Sequence, residues 1–262
     1  MPPPVAVLGR SRAHRAAIVD DLRRLLPRLE SVAAPARALP FGLTALDSHL
    51  PQRGLTLGAL HEVAPQQHGD TPAAFGFVAA LLARFIPVSR PLLLVGAPRA
   101  FAEHGRPHGH GLNRLGLDPA RLILVETKTD KQALWAMEEA LRSGVPAAVA
   151  GMIGKLDLKT SQRLHLAAAA AGLPLVLLRP AKAGEASAAA TRWRIGAAEA
   201  ARDRFGLVTH PRWNVRLERC RNGRPGEWLL EFDHAAYRFS LAAPLADPAL
   251  SRRADPTLER AG

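Results

Sequence analysis

The chain has 262 residues, 48% hydrophobic but only 5% aromatic, which is enough apolar material for a core built largely on Ala and Leu. Its net charge of +12 favours a polyanionic partner, nucleic acid above all, or an acidic protein, although an Arg-, Ala- and Pro-rich composition also follows from genomic base composition alone. The single Cys220 excludes an intramolecular disulfide, the start Met1-Pro2-Pro3-Pro4 is unlike a secretion signal, and every long apolar stretch is interrupted, so a soluble cytoplasmic, nucleoid-associated protein without a membrane span is expected.

In chain order, Ala13 to Leu29 reads as a basic helix with Ile18, Leu22, Leu25, Leu26 and Leu29 on one face. An Ala/Pro-rich linker, Ser31 to Pro40, follows. From Leu43 to Pro180 short apolar runs alternate with helical stretches. Leu60–Val63, Leu92–Val95, Leu122–Val125, Ala147–Ala150 and Leu175–Leu178 read as buried strands, and Thr71–Phe85, Asp130–Arg142 and Leu158–Ala171 as helices. Thr129 with Gln132 gives the middle helix a capping box. This alternation predicts βαβ crossovers and a mostly parallel sheet. Lys182 to Ala190 reads as a mobile small-residue loop. Arg192–Ile195 reads as a further strand, Val215–Arg221 and Glu227–Asp233 as a pair around Asn222-Gly223, and Tyr237–Leu241 as one more. The expected domains are a helix and linker (1–40), an α/β core (41–180), a C-terminal antiparallel β extension (181–245) and a loose tail (246–262).

The informative segment is the turn after the first core strand, Ala64-Pro65-Gln66-Gln67-His68-Gly69-Asp70-Thr71. A phosphate-binding loop needs Gly at both ends of a four-residue span, then Lys, then Ser or Thr: the glycines let backbone N–H groups converge, the Lys neutralises charge and the hydroxyl holds Mg²⁺. Gly69 and Thr71 stand in the right places, but Ala64 replaces the first Gly and Asp70 the Lys. At a few ångströms and an effective dielectric of about 20, that exchange turns several kcal/mol of attraction into repulsion. An ordinary strand–turn–helix unrelated to such a loop also fits this turn taken alone.

The surroundings add to it. Leu43-Thr44-Ala45-Leu46-Asp47, then Arg53-Gly54-Leu55-Thr56-Leu57-Gly58-Ala59-Leu60-His61-Glu62-Val63, Leu115 to Leu122, and Gln132-Ala133-Leu134 through Gly144 resemble, in order and spacing, the RecA/recombinase family. The resemblance covers about Leu43 to Tyr237. It implies a RecA-like P-loop-type fold with a degenerate nucleotide site. Gly151 follows the strand where that family has an Asp, and Gly96-Ala97-Pro98-Arg99 follow the strand where it has a catalytic carboxylate, with Glu103 a poor substitute. Phosphate binding, metal anchoring and water activation are lost together. Together with Arg192–Arg194, Trp213-Asn214-Val215 and the terminal hairpin, the chain resembles the ImuA family, RecA-like accessory proteins of a bacterial damage-induced (SOS) mutagenesis cassette. That resemblance implies a scaffold for error-prone translesion synthesis rather than an enzyme, without cofactor, working beside an ImuB-like polymerase-related protein and an error-prone replicative-type DNA polymerase, with RecA and single-stranded DNA as further candidate partners.

Candidate DNA-contacting residues are Arg192, Arg194, Arg212 and Arg216, interleaved with Trp193, Trp213 and Trp228, and Lys155 and Lys159, which follow the strand after which RecA relatives place a DNA-contacting loop. Core packing is the preferred role for the tryptophans. His104, His108 and His110 share a Gly/Pro-rich loop but lack the ligand set of a structural zinc site, so no metal is expected. Two other functions remain in play: a divergent DNA-dependent ATPase or recombinase with Lys155 or Arg99 reaching into an unconventional site, against which Asp70 argues, and a SulA-type cell-division inhibitor, against which the long C-terminal half argues.

Overall fold

The chain divides into two units, residues 1–37 and 38–262. This computed structural model describes residues 37–85, 89–98, 100–182, 184–202 and 204–242. The helix expected at Ala13–Leu29, the tail from Ala246, and Arg99 lie outside them. The elements are β1 (Ala38–Leu39), α1 (Thr44–Asp47), β2 (Leu55–Thr56), β3 (Leu60–Pro65), α2 (Thr71–Ala83), β4 (Leu92–Gly96), α3 (Gly109–Arg114), β5 (Leu122–Glu126), α4 (Asp130–Ser143), β6 (Ala148–Met152), α5 (Leu158–Ala171), β7 (Leu175–Leu178), β8 (Thr191–Arg202), β9 (Val208–Cys220), β10 (Gly226–Asp233) and β11 (Arg238–Leu241). Among the described residues β1 and β2 pair, and the other nine strands form one sheet in the order β11-β10-β9-β8-β3-β7-β6-β4-β5. The pairs from β8 through β5 are parallel, and β8, β9, β10 and β11 are joined antiparallel. The fold is therefore α/β, with a mostly parallel sheet and a C-terminal antiparallel extension.

Local chemistry explains the boundaries. The Thr129 hydroxyl accepts the Gln132 N–H at 3.1 Å, while Gln132 Oε1 accepts from Lys128 N–H, one residue earlier than the expected capping box. Gly144 (φ 63°) ends α4 in the left-handed conformation. Asp157 caps α5 through the Thr160 N–H. The Asp47 carboxylate accepts from the N–H groups of Phe41, Gly42 and Leu43 and so fixes the chain where it turns into α1.

Two apolar layers sandwich the sheet. On one face α2 and α3 pack on an aromatic cluster in which Phe77 touches Trp193, Trp213 and Phe239, with ring centroids 6.4, 6.0 and 5.6 Å apart. On the other, α4 and α5 cover β3, β4, β6 and β7 with aliphatic side chains, Met137, Leu141 and Leu164 among them.

Two expectations need correction. β8 is twelve residues long, not four. Gly196-Ala197-Ala198-Glu199 lacks β-branched residues, but pairing with β9 along its length overrides that weak propensity. The segment expected to be a mobile loop from Lys182 to Ala190 is held at its far end. Ser187, Ala188 and Ala189 are buried, the Ala188 N–H donates to Ser161 Oγ, and Arg219 donates to the carbonyls of Ser187 and Ala189. The small side chains there serve close packing rather than mobility.

His61 lies fully buried in β3. Its Nε2 faces the Thr56 carbonyl at 2.8 Å, which can only accept, so the proton sits there. Nδ1 then accepts from the Thr191 hydroxyl at 2.8 Å, and that oxygen in turn accepts the indole N–H of Trp193. Burial lowers the His61 pKa from 6.5 to about 4. Between those values the unfolded chain binds more protons than the folded one, so stability falls as pH drops through that window. A loss of roughly 3 kcal/mol is expected between pH 6.5 and pH 4. Urea unfolding across that range measures it, and His61→Gln flattens the slope relative to the parent; an unchanged slope removes His61 as its source.

Candidate functional site

In the doubly wound part of the sheet, β4 leads to α3 on one face and its neighbour β6 leads to α5 on the other. Ligands bind outside the carboxyl ends of strands at such a switch point. A cavity of about 230 Å³ lies there, lined by Thr71 at the start of α2, Pro98 after β4, Met152, Ile153 and Gly154 at the end of β6, and Arg179 after β7.

The turn after β3 borders this cavity through His68. Ala64 and Pro65 are not loop residues: they continue β3, buried and paired with Arg194 and Ile195 of β8. The turn therefore starts only at Gln66, whose N–H donates to the Ile195 carbonyl. His68–Asp70 form one 3₁₀ turn. Gly69 sits in open space without a positive φ, so nothing there requires glycine. Asp70 is buried; Oδ2 accepts the Gln67 N–H at 3.2 Å and Oδ1 the Ala197 N–H of β8 at 3.0 Å. The carboxylate occupies backbone donors of the turn and ties it to the sheet. The Thr71 hydroxyl donates to the His68 carbonyl.

Gly151 stands elsewhere than expected. β6 runs on to Met152, and Gly151 lies inside the ladder opposite Val95 and Leu177. A Cβ there would collide with Met137 Sδ and come within 2.9 Å of Leu177 Cδ2. The position is closed by packing. Glu103 is exposed and engages His68 and His104 at 3.4 and 3.7 Å.

The arginines share one face of the antiparallel extension, because Arg194 pairs in register with Arg216 and all four occupy positions alternate to the buried Trp193, Ile195, Trp213 and Val215. Each meets a glutamate. Arg192 pairs with Glu62 (2.9 Å), Arg194 with Glu218 (3.0 Å), Arg212 with Glu231 (2.7 Å) and Arg216 with Glu227 (3.1 Å). Sequence reasoning missed these partners, although Arg216 and Glu227, and Arg212 and Glu231, are equidistant from Arg221-Asn222 and so face each other across the hairpin. Trp193 and Trp213 are core residues; Trp228 is half-buried against His49.

Lys155 and Lys159 are exposed at the end of β6 and the start of α5. His108 and His110 pack ring to ring at 5.4 Å. Among the described residues no group of three or more His, Cys, Asp or Glu is placed to hold a metal ion, and no helix is long and apolar enough to cross a membrane. The Cys220 thiol, at the end of β9, is pushed up in pKa by burial. Arg179, which sequence reasoning passed over, was signalled by a charged residue directly after the buried run Leu175–Leu178, at a strand's carboxyl end.

Fold and site together define an α/β protein whose turn after β3 is held by its own carboxylate, Asp70. No family model matches the sequence. The chain is 37% identical over 235 residues to Protein ImuA from each of two strains of Caulobacter vibrioides, spanning 81% of this chain and 92% of those proteins. It belongs to the ImuA family. Among solved structures, SulA from Pseudomonas aeruginosa aligns with a TM-score of 0.38 and 23% identity, over 46% of this chain and 97% of that one.

Asp70→Lys is expected to remove the carboxylate acceptor of two part-buried backbone donors and cost about 1–3 kcal/mol in urea unfolding, without creating ATP affinity. Nanomolar-to-micromolar ATP binding by this variant would show the loop to be open. Gly151→Asp forces a charged side chain against Met137 and Leu177; a loss of about 3 kcal/mol or more is expected, and a neutral effect would contradict the packing described.

Proposed function

We propose that this ImuA-family chain is a non-catalytic RecA-like adaptor of damage-induced, error-prone translesion DNA synthesis. The parallel sheet with a strand–turn–helix at its carboxyl end supports the RecA-like reading. In this reading the chain docks an ImuB-like polymerase-related protein and an error-prone replicative-type polymerase, with RecA and single-stranded DNA as further partners, in the nucleoid-associated cytoplasm. One observation carries the absence of catalysis: the residue at the lysine position is an acid already bonded to the turn and to β8.

The adaptor role rests on protein contacts more than on phosphate contacts. The four arginines nominated for DNA are matched by four glutamates on the same face, so a strand lying there would compete with carboxylates for each of them. Lys155 and Lys159 meet no carboxylate among the described residues and are the better candidates for any backbone contact to DNA.

The test pairs two assays on purified full-length protein. ATP hydrolysis with and without single-stranded DNA is expected to stay at background, and the ImuB-like protein is expected to co-purify. Hydrolysis well above background and abolished by Lys155→Ala would replace this reading with a divergent ATPase. Absence of any complex with the polymerase-related protein would remove the adaptor role.

A further inference from the structure

β8 and β9 run past their neighbours. β3 pairs with β8 only from Thr191 to Ile195, and β10 pairs with β9 only between Arg212 and Leu217. Beyond those points the two strands pair with each other alone among the described residues, through Ala201 with His210 and Arg202 with Val208. At ~3.3 Å per residue, residues 199–202 carry this two-stranded ribbon about 13 Å past the paired sheet. The ribbon has its own fastenings. The Thr209 hydroxyl donates to the Ala201 carbonyl at 3.1 Å and Arg202 Nη1 to the Gly206 carbonyl at 2.7 Å, and Gly206 turns the chain at a φ of 80°.

The end of the ribbon is apolar and stands in solvent. Phe205, Leu207 and Val208 are 71%, 66% and 57% exposed, and the Arg204 guanidinium lies over the Phe205 ring, 4.7 Å from its centroid. A two-stranded ribbon is marginal by itself in water, and large apolar side chains at its tip add nothing to the core, so both features fit a ribbon that meets a partner. Strand addition along its edges is opposed: β9 carries Pro211, which has no N–H, just where β10 stops, and β8 is irregular between Ala198 and Arg202. Charge narrows the partner further. Over residues 199–211 Arg202 and Arg204 are matched in number by Glu199 and Asp203, which leaves no surplus to attract a polyanion. One face of the Phe205 ring is taken by Arg204, and Leu207 and Val208 offer no platform on which a base stacks. Three side chains fall far short of the ~800 Å² per partner that a stable dimer buries, so two tips in contact do not make one.

We propose that this ribbon is a docking finger, whose Phe205, Leu207 and Val208 enter an uncharged apolar pocket on a protein partner. The inference rests on the adaptor reading for the identity of that partner, the polymerase-related protein. Arg204 holds the ring in place before contact, which lowers the cost of ordering it, and an aromatic anchor in a pocket is the kind of contact that dominates an interface.

The experiment compares the full-length wild-type chain with a variant carrying Phe205→Ala and Leu207→Ala. Binding to the immobilised ImuB-like protein is measured beside anisotropy of a labelled oligothymidylate and the mass in light scattering. The variant is expected to melt with the parent, because both side chains lie outside the core. It is expected to bind the partner about tenfold or more weakly, and to match the parent in DNA affinity and in mass. Equal partner affinity of the two chains overturns the docking finger and leaves the adaptor reading standing. A loss confined to DNA affinity makes the ribbon a nucleic-acid wedge, and a fall in mass alone makes it a contact between copies; either result overturns the proposal. Absence of a complex with the wild-type chain removes the adaptor reading and the finger with it.

Discussion

β3 and the turn that follows it direct their buried polar groups into β8. His61 bonds Thr191, Glu62 pairs with Arg192, the Gln66 N–H meets the Ile195 carbonyl, and Asp70 accepts from Ala197. β3 is a central strand, buried on both faces and flanked on both edges, so water cannot satisfy His61 and Glu62 within it. β8 is also the strand through which the antiparallel extension joins the parallel half. One seam therefore holds the two halves together and fixes the geometry of the turn beside the cavity. Arg192 and Glu62 within it are nearly buried, and such a pair contributes more to a unique register than to net stability.

The exposed side of that seam follows a different logic. Arg212–Glu231 and Arg216–Glu227 are cross-strand pairs on a sheet face that neither α4 nor α5 is found to cover. Their energies differ with exposure. Arg216 and Glu227 are both more than half exposed and screened by solvent, whereas Arg212 is only 10% exposed and bonds Glu231 at 2.7 Å. A face of alternating charge also lacks the single-sign field that draws a polyanion. The four nominated arginines, each matched by a glutamate, thus contribute no net positive charge.

How much of this was legible in the sequence depends on which physical signal each element carries. The parallel strands are unbroken apolar runs such as Leu92-Leu93-Leu94-Val95, buried on both faces, and their type and order follow directly from that pattern. The helices between them carry their own caps. β8 was legible only in its first turn of residues, because its second half is Ala-rich and owes its conformation to β9. Asp70 was visible as an acid in the turn, but its bonding was not: charge is a property of the residue, whereas the two N–H groups it accepts lie 127 residues away in one case and three in the other. Gly151 was misread because the strand end was placed two residues early, at Ala150 instead of Met152. Arg179 went unread because the burial of a guanidinium is a property of three-dimensional surroundings, not of spacing.

Those surroundings also explain why the turn and the cavity have opposite electrostatic characters. In a phosphate-binding loop, backbone N–H groups and a lysine face the ligand together. Here the loop's anion is built in: Asp70 is covalently fixed, already desolvated, and bonded to donors in the turn and in β8. A lysine at the same point would leave the Ala197 N–H without its carboxylate acceptor and would bring a second cation toward the crevice that Arg179 already lines. The acid at this turn is thus also a structural bond between halves of the fold, so exchanging it for a lysine removes an acceptor for β8 as well as changing the charge of the turn.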